Sequence, residues 1–148
     1  TIPTFTKGGD LAKISLINSD LSSIRKAGEM YIQSKSTKGN FEGINASEIH
    51  SLIPALESTD CDGTPCLISS ANENIKYIID TEKDSTNKNY NSILILKIEG
   101  LDKIDGAKKS ILKNQGKLNI NATYDPDLDE FIPKDNPGAG VLILHFKG

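Results

Sequence analysis

A single arginine, two histidines and two cysteines stand among 148 residues, and each scarcity closes off a chemistry. With one Arg, and 17 basic groups against 20 acidic ones for a net charge of −3, the chain lacks the cationic surface and bidentate donors by which a dedicated nucleic-acid binder holds phosphates. Cys61 and Cys66 are four residues apart, not the two of a thioredoxin-like redox pair, and a structural zinc site needs four ligands. No apolar run approaches the roughly 20 residues that cross a bilayer, and no basic, apolar, small-residue signal pattern occurs. A Gly-x-Ser-x-Gly elbow, a phosphate-binding glycine loop and a His-Glu-x-x-His zinc helix are all missing, so no catalytic residue is assigned and no enzyme is expected. The two histidines, His50 and His145, read as surface or packed residues rather than ligands.

What is present describes one folded domain spanning 1–148, with 36% apolar residues, 25% charged residues and twenty isoleucines for its core. Cys61 and Cys66 bracket Asp-Gly-Thr-Pro, whose turn chemistry suits a small closed loop. A bridge there, to which a reduced pair is the alternative, contributes only about 2 kcal/mol by the chain-entropy account and implies an oxidising, extracytoplasmic location.

Leu11, Ile14, Ile17, Leu21, Ile24, Gly28 and Tyr31 recur at steps of three or four and predict one long amphipathic helix, with Asp20, Ser22, Arg25, Lys26 and Glu29 off its apolar stripe. Either Asp10 caps this helix after Gly8-Gly9, or the helix runs through both glycines; it ends near Lys35, before a polar stretch from Ser34 to Asn40. Asn45, followed three residues later by Glu48, predicts a capped short helix through Ile49, Leu52 and Ile53 that bends or ends at Pro54. Strands are expected at Ile75–Asp80, Ser92–Glu99, Lys117–Tyr124 and Val141–Lys147, the second being a central strand covered on both faces. Thr81 to Asn91 reads as a polar loop and Asp102 to Asn114 as a surface helix. The fold class is therefore α+β: a helix over 1–35, a connecting region over 36–74 holding the cysteine loop, and a sheet region over 75–148 with an antiparallel sheet of about four strands.

The opening Ile2, Pro3, Thr4, Phe5, then Ala12, Lys13, Ser19, Asp20, Leu21, Ile24, Arg25, Ala27, Glu29 and Tyr31 resembles the post-membrane part of type IV pilins and pseudopilins. The resemblance covers residues 1–31 and implies a pilin-like fold for the whole. It also implies that a leader peptide and an apolar helix precede Thr1, anchoring the subunit in the inner membrane before it enters a filament. Pro3, which lacks an N–H, and Gly8-Gly9 soften the helix where it leaves the membrane, and this stretch is expected to unwind on assembly. The filament-assembly residues are then Ile2, Pro3, Phe5, Leu11, Ile14 and Ile17.

The function this implies is a structural subunit of a type IV pilus or a type II secretion-like pseudopilus, serving adhesion, motility, DNA uptake or secretion. Its partners are other pilin subunits in a helical filament, the inner membrane and the assembly machinery. DNA contact through Lys103, Lys108, Lys109, Lys113 and Lys117 is the less expected partner, because a solvated helix face accounts for them. Asp125, Asp127 and Asp129 alternate as calcium ligands can, and secretion pseudopilins as a family carry a C-terminal calcium loop. An EF-hand is rejected, since Glu130 stands at its sixth position and Asn136 at its twelfth. No other cofactor is expected. The alternative is an extracytoplasmic module that recognises a carbohydrate, ion or protein through its loops.

Overall fold

The computed structural model describes residues 8–34, 40–86, 90–135 and 137–148. Ile2, Pro3 and Phe5 lie outside them, as do residues 35–39 of the polar stretch. Helix α1 spans Gly8–Ser34, so it runs through both glycines rather than starting at Asp10. Asp10 instead accepts the backbone N–H of Asp105 at 3.2 Å. Ile14, Ile17, Leu21, Ile24, Ala27 and Tyr31 are each less than 5% exposed, as a 3.6-residue period requires. Gly28 shares that face, where an added Cβ would come within 3.0 Å of Leu94 Cδ2, so its lack of a side chain sets how closely the helix approaches the sheet.

Helix α2 (Ala46–Leu52) starts as expected, with the Asn45 side chain accepting Glu48 N–H at 3.0 Å, and it stops before Pro54. The main sheet has five antiparallel strands in the order β1-β2-β3-β4-β7: β1 Ser58–Cys61, β2 Thr64–Ile68, β3 Lys76–Glu82, β4 Ile93–Glu99 and β7 Leu142–Lys147. A separate hairpin joins β5 (Ala122–Asp125) to β6 (Glu130–Pro133). The inward residues Tyr77, Ile79, Leu94, Leu96, Ile98, Leu142, Leu144 and Phe146 meet the α1 stripe in one core, each large apolar side chain adding about 1.5–3 kcal/mol.

The coarse class is therefore α+β with an N-terminal helix on an antiparallel sheet, and three readings of detail need correction. The sheet has five strands rather than about four, because β1 and β2 arise in the 36–74 connecting region. Asp62 (φ 51°) and Gly63 (φ 85°) place two successive residues in the left-handed region, the requirement of a two-residue hairpin turn. The apolar run of β4 is fully covered on one face only: Leu94, Leu96 and Ile98 are buried there, while on the other Ile93 is buried and Ile95, Lys97 and Glu99 are partly exposed. Lys117–Tyr124 is not one strand. Asn119 turns the chain by accepting Asn121 N–H at 3.0 Å, and Leu118, Ile120 and Tyr124 are 50%, 44% and 46% exposed.

Two boundaries also move. The stretch expected as a helix over Asp102 to Asn114 is a 3₁₀ turn at Leu101–Lys103 followed by α3 (Ala107–Gln115), broken where Gly106 takes φ 74°. Strand β3 continues two residues into the expected Thr81 to Asn91 loop, with Thr81 donating its hydroxyl to the Ile93 carbonyl.

The Cys61–Cys66 disulfide forms across the β1–β2 hairpin, with Cα atoms 5.9 Å apart. Since the D-G turn and the ladder to β2 already hold this hairpin, reduction is expected to lower stability by only about 2 kcal/mol, leaving the fold intact. Urea unfolding with and without dithiothreitol, read by circular dichroism, measures it.

Candidate functional site

Three surfaces carry the residues singled out from the sequence. The first is the outer side of α1. The buried stripe begins at Ile14, yet the helix is already formed at Gly8, so its opening turn adds no side chain to the core and is held through Asp10 to Asp105, while Leu11 is 54% exposed. Ile14 and Ile17 are buried inside the head, against its own sheet, and Leu11 alone of the three described assembly residues faces solvent. At 100° per residue, Ala12, Leu16, Ser19, Ser23 and Met30 fall within about 60° of one another, flanking the buried stripe on its Ala27 side. Leu16 and Met30 are 44% and 47% exposed there, and Lys26 is the charge nearest that strip.

The second surface is the acidic β5–β6 turn. Asp125 accepts Asp127 N–H at 2.9 Å, and Asp129, at φ 50°, accepts the Tyr124 hydroxyl at 2.7 Å. That hydrogen bond to Asp129, ahead of desolvation, raises the Tyr124 pKa. The carboxylates are thus engaged in making the turn, and among the described residues no group of three or more His, Cys, Asp or Glu side chains is arranged to hold a metal ion. The third is the lysine run. Lys109 pairs with Glu130 at 2.7 Å, which raises its pKa; Lys108 donates to the Gly138 carbonyl; Lys103, Lys113 and Lys117 are exposed. One partner and one carbonyl already divide this run, so it does not make a continuous cationic face.

Both histidines have local work. His50 Nδ1 lies 2.6 Å from the Leu56 carbonyl, closing the end of α2. His145 Nδ1 lies 3.2 Å from Glu82 on the outer face of the sheet.

The group that sequence reasoning missed is Asp20. Placed off the apolar stripe by its charge, it is only 5% exposed and accepts four hydrogen bonds. They come from Ser69 Oγ at 2.9 Å, Ser70 N at 3.1 Å, Ser70 Oγ at 2.6 Å and Tyr77 Oη at 2.6 Å. The donors come from the segment between β2 and β3 and from β3 itself, so one carboxylate ties the middle of α1 to the sheet. Tyr77 is fully buried, and burial first, then the adjacent Asp20 charge, pushes its pKa well above the usual tyrosine value. All four donors belong to the sheet and the turn beside it, so the cluster is built as a latch. A serine-rich turn distant by about fifty residues was the only signal in the sequence, and spacing alone does not pair it with the helix.

No protein-family model, curated protein or solved structure matches this chain. Among the described residues, no helix is long and apolar enough to cross a membrane.

Two outcomes follow from the latch. Asp20→Ala strands the Ser69, Ser70 and Tyr77 donors and is expected to lower unfolding free energy by about 3 kcal/mol or more, read by urea denaturation. Below about pH 10 both the folded and unfolded chains keep the Tyr77 proton, so it adds no pH dependence there. Above that value the unfolded chain loses the proton while the folded one keeps it, so stability falls by up to about 1.4 kcal/mol per pH unit. Tyr77→Phe is expected to remove that part of the alkaline slope.

Proposed function

We propose that the chain is the head of a structural subunit of a type IV pilus or a secretion pseudopilus, and that its work is assembly rather than catalysis. The observation that carries this reading is the second, outward strip of α1. The solvent side of α1 carries Lys26 and Glu29, as a helix serving its own sheet does, but between that charge and the buried stripe Ala12, Leu16, Ser19, Ser23 and Met30 form a separate uncharged strip. The 27-residue helix is about 40 Å long, whereas the seven-residue strands beneath it span about 23 Å. The excess length and the uncharged strip suit packing against the helices of neighbouring subunits, with the opening turns leading toward an apolar segment anchored in the inner membrane.

In this reading the head is extracytoplasmic, in keeping with the Cys61–Cys66 bridge. The contact between subunits is heterologous, so repetition gives an open helical filament and the isolated head is monomeric. The β1–β2 turn and the acidic β5–β6 turn, both exposed, then lie on the outer wall of the filament.

Two measurements test the proposal. The reading frame upstream of Thr1 is expected to encode a short basic leader and then about twenty apolar residues with one early Glu; a hydrophilic extension overturns it. Leu16→Glu and Met30→Glu, at exposed positions, are expected to change head stability by less than about 0.5 kcal/mol. In the full-length gene in its own host the same substitutions are expected to abolish filaments seen by electron microscopy. Normal filaments from both variants overturn the role of the strip.

A further inference from the structure

At the β7 edge of the sheet, away from the outer strip of α1, lies a cavity of about 350 Å³, within the range of small-molecule sites. Its floor is apolar, formed by Phe41, Leu94 and Phe146, with Ile32 beside them. Leu118 and Ile120 form the lip and remain 50% and 44% exposed. They have no freedom to fold inward and cover themselves, because the segment carrying them is fastened to β7. Ile120 N–H donates to the His145 carbonyl at 2.9 Å, and the buried Asn119 side chain accepts His145 N–H at 2.8 Å. The cavity is therefore preformed, and its apolar lip is held open.

The charge around it has one predominant sign. Among the described residues, the side chains of Arg25, Lys117 and Lys147 line the cavity, against that of Glu29. Lys147 is shared with Asp84 at 3.2 Å, which leaves Arg25 and Lys117 as the main cationic groups. The Arg25 guanidinium lies 5.5 Å from the centre of the Phe146 ring, at the junction of floor and wall. Its Nε is enclosed and has no hydrogen-bond acceptor among the described residues. The partly exposed Arg25 and the exposed Lys117 at the edge of an apolar cavity suit an anionic group attached to an apolar body.

We propose that this cavity binds a single-chain amphipathic anion, an alkyl carboxylate or alkyl phosphate of medium length. Its head is held by Arg25 and Lys117, and its chain lies over Phe41, Leu94 and Phe146 under the Leu118–Ile120 lip. The same chemistry is available from a free acid and from an anionic lipid in a bilayer. A volume of about 350 Å³ favours the free single chain.

The test is a titration of the ¹⁵N-labelled full chain with decanoate below its micelle-forming concentration, followed by amide shifts. Acetate supplies the head without the chain, decyltrimethylammonium the chain with the opposite head, and phosphatidylglycerol vesicles the bilayer source. Saturable shifts centred on Leu94, Ile120 and Phe146 are expected with decanoate alone among the soluble probes. Lys117→Gln, at an exposed position, is expected to weaken binding about fivefold, and Arg25→Gln about tenfold or more. Lys109→Gln, on α3 outside the cavity, is expected to bind as the parent does. Should Arg25→Gln fail to fold, Lys117→Gln still decides. The proposal is overturned by equal affinity for the cationic amphiphile, by unsaturable or scattered shifts, by binding to vesicles without binding to decanoate, or by a Lys117→Gln variant that binds like the parent. None of these results bears on filament formation, so failure here and failure of the assembly reading are separable.

Discussion

One buried carboxylate sets the geometry on which the rest depends. Apolar contacts alone leave a helix free to slide by a turn over a sheet, because isoleucine and leucine are interchangeable partners at such an interface. Asp20 removes that freedom. A carboxyl group only 5% exposed is tolerable solely where its donors are, and those donors, Ser69, Ser70 and Tyr77, occupy one place on the sheet. The helix is therefore registered as well as attached. Gly28 then lies over Leu94, Tyr31 reaches the Glu42 carbonyl at 2.6 Å, and the outer strip of α1 acquires a defined direction. Burial, with smaller contributions from Glu48 and Glu42, raises the Tyr31 pKa, so this second phenol also remains a donor in the folded state.

The division of labour around α1 explains what the sequence made legible. Its stripe, the Asn45 cap, the end of α2 before Pro54, the disulfide and strands β3, β4 and β7 all rest on short-range signals: periodicity, a cap residue, a proline and apolar runs. The β1–β2 hairpin was equally local, since Asp62-Gly63 is a two-residue turn signal, but its strands are short, β1 is polar and β2 does not alternate. The segment Lys117–Tyr124 misled for the opposite reason. Its alternation is real, but the turn at Asn119 breaks the segment, so only Ala122–Tyr124 enter a ladder, in β5, and Leu118 and Ile120 became the lip of a cavity.

What was not legible is whatever depends on partners far apart in the chain. The latch joins residues separated by 49, 50 and 57 positions. The cavity draws on α1, the segment after it, β4, the stretch after α3 and β7. No spacing rule within a window of a dozen residues contains either. The coverage of β4 belongs to the same class: an apolar run states that a strand is central, not whether a second layer covers its other side.

The sheet order has a consequence for how this polypeptide reaches its native state. Strands β1 to β4 form a meander in which each pairing closes a short loop, whereas β7 joins β4 only after an excursion through α3 and the β5–β6 hairpin. Low contact order in the first part and a distant closure in the second suggest an order of events on the ribosome. The meander can assemble against α1 while the last third of the chain is still being synthesised, and the final strand completes the sheet by docking onto an edge that was exposed until then. That waiting edge is the point at which a nascent chain is most open to pairing with a neighbour, and shielding it is a task for the cell rather than for the sequence.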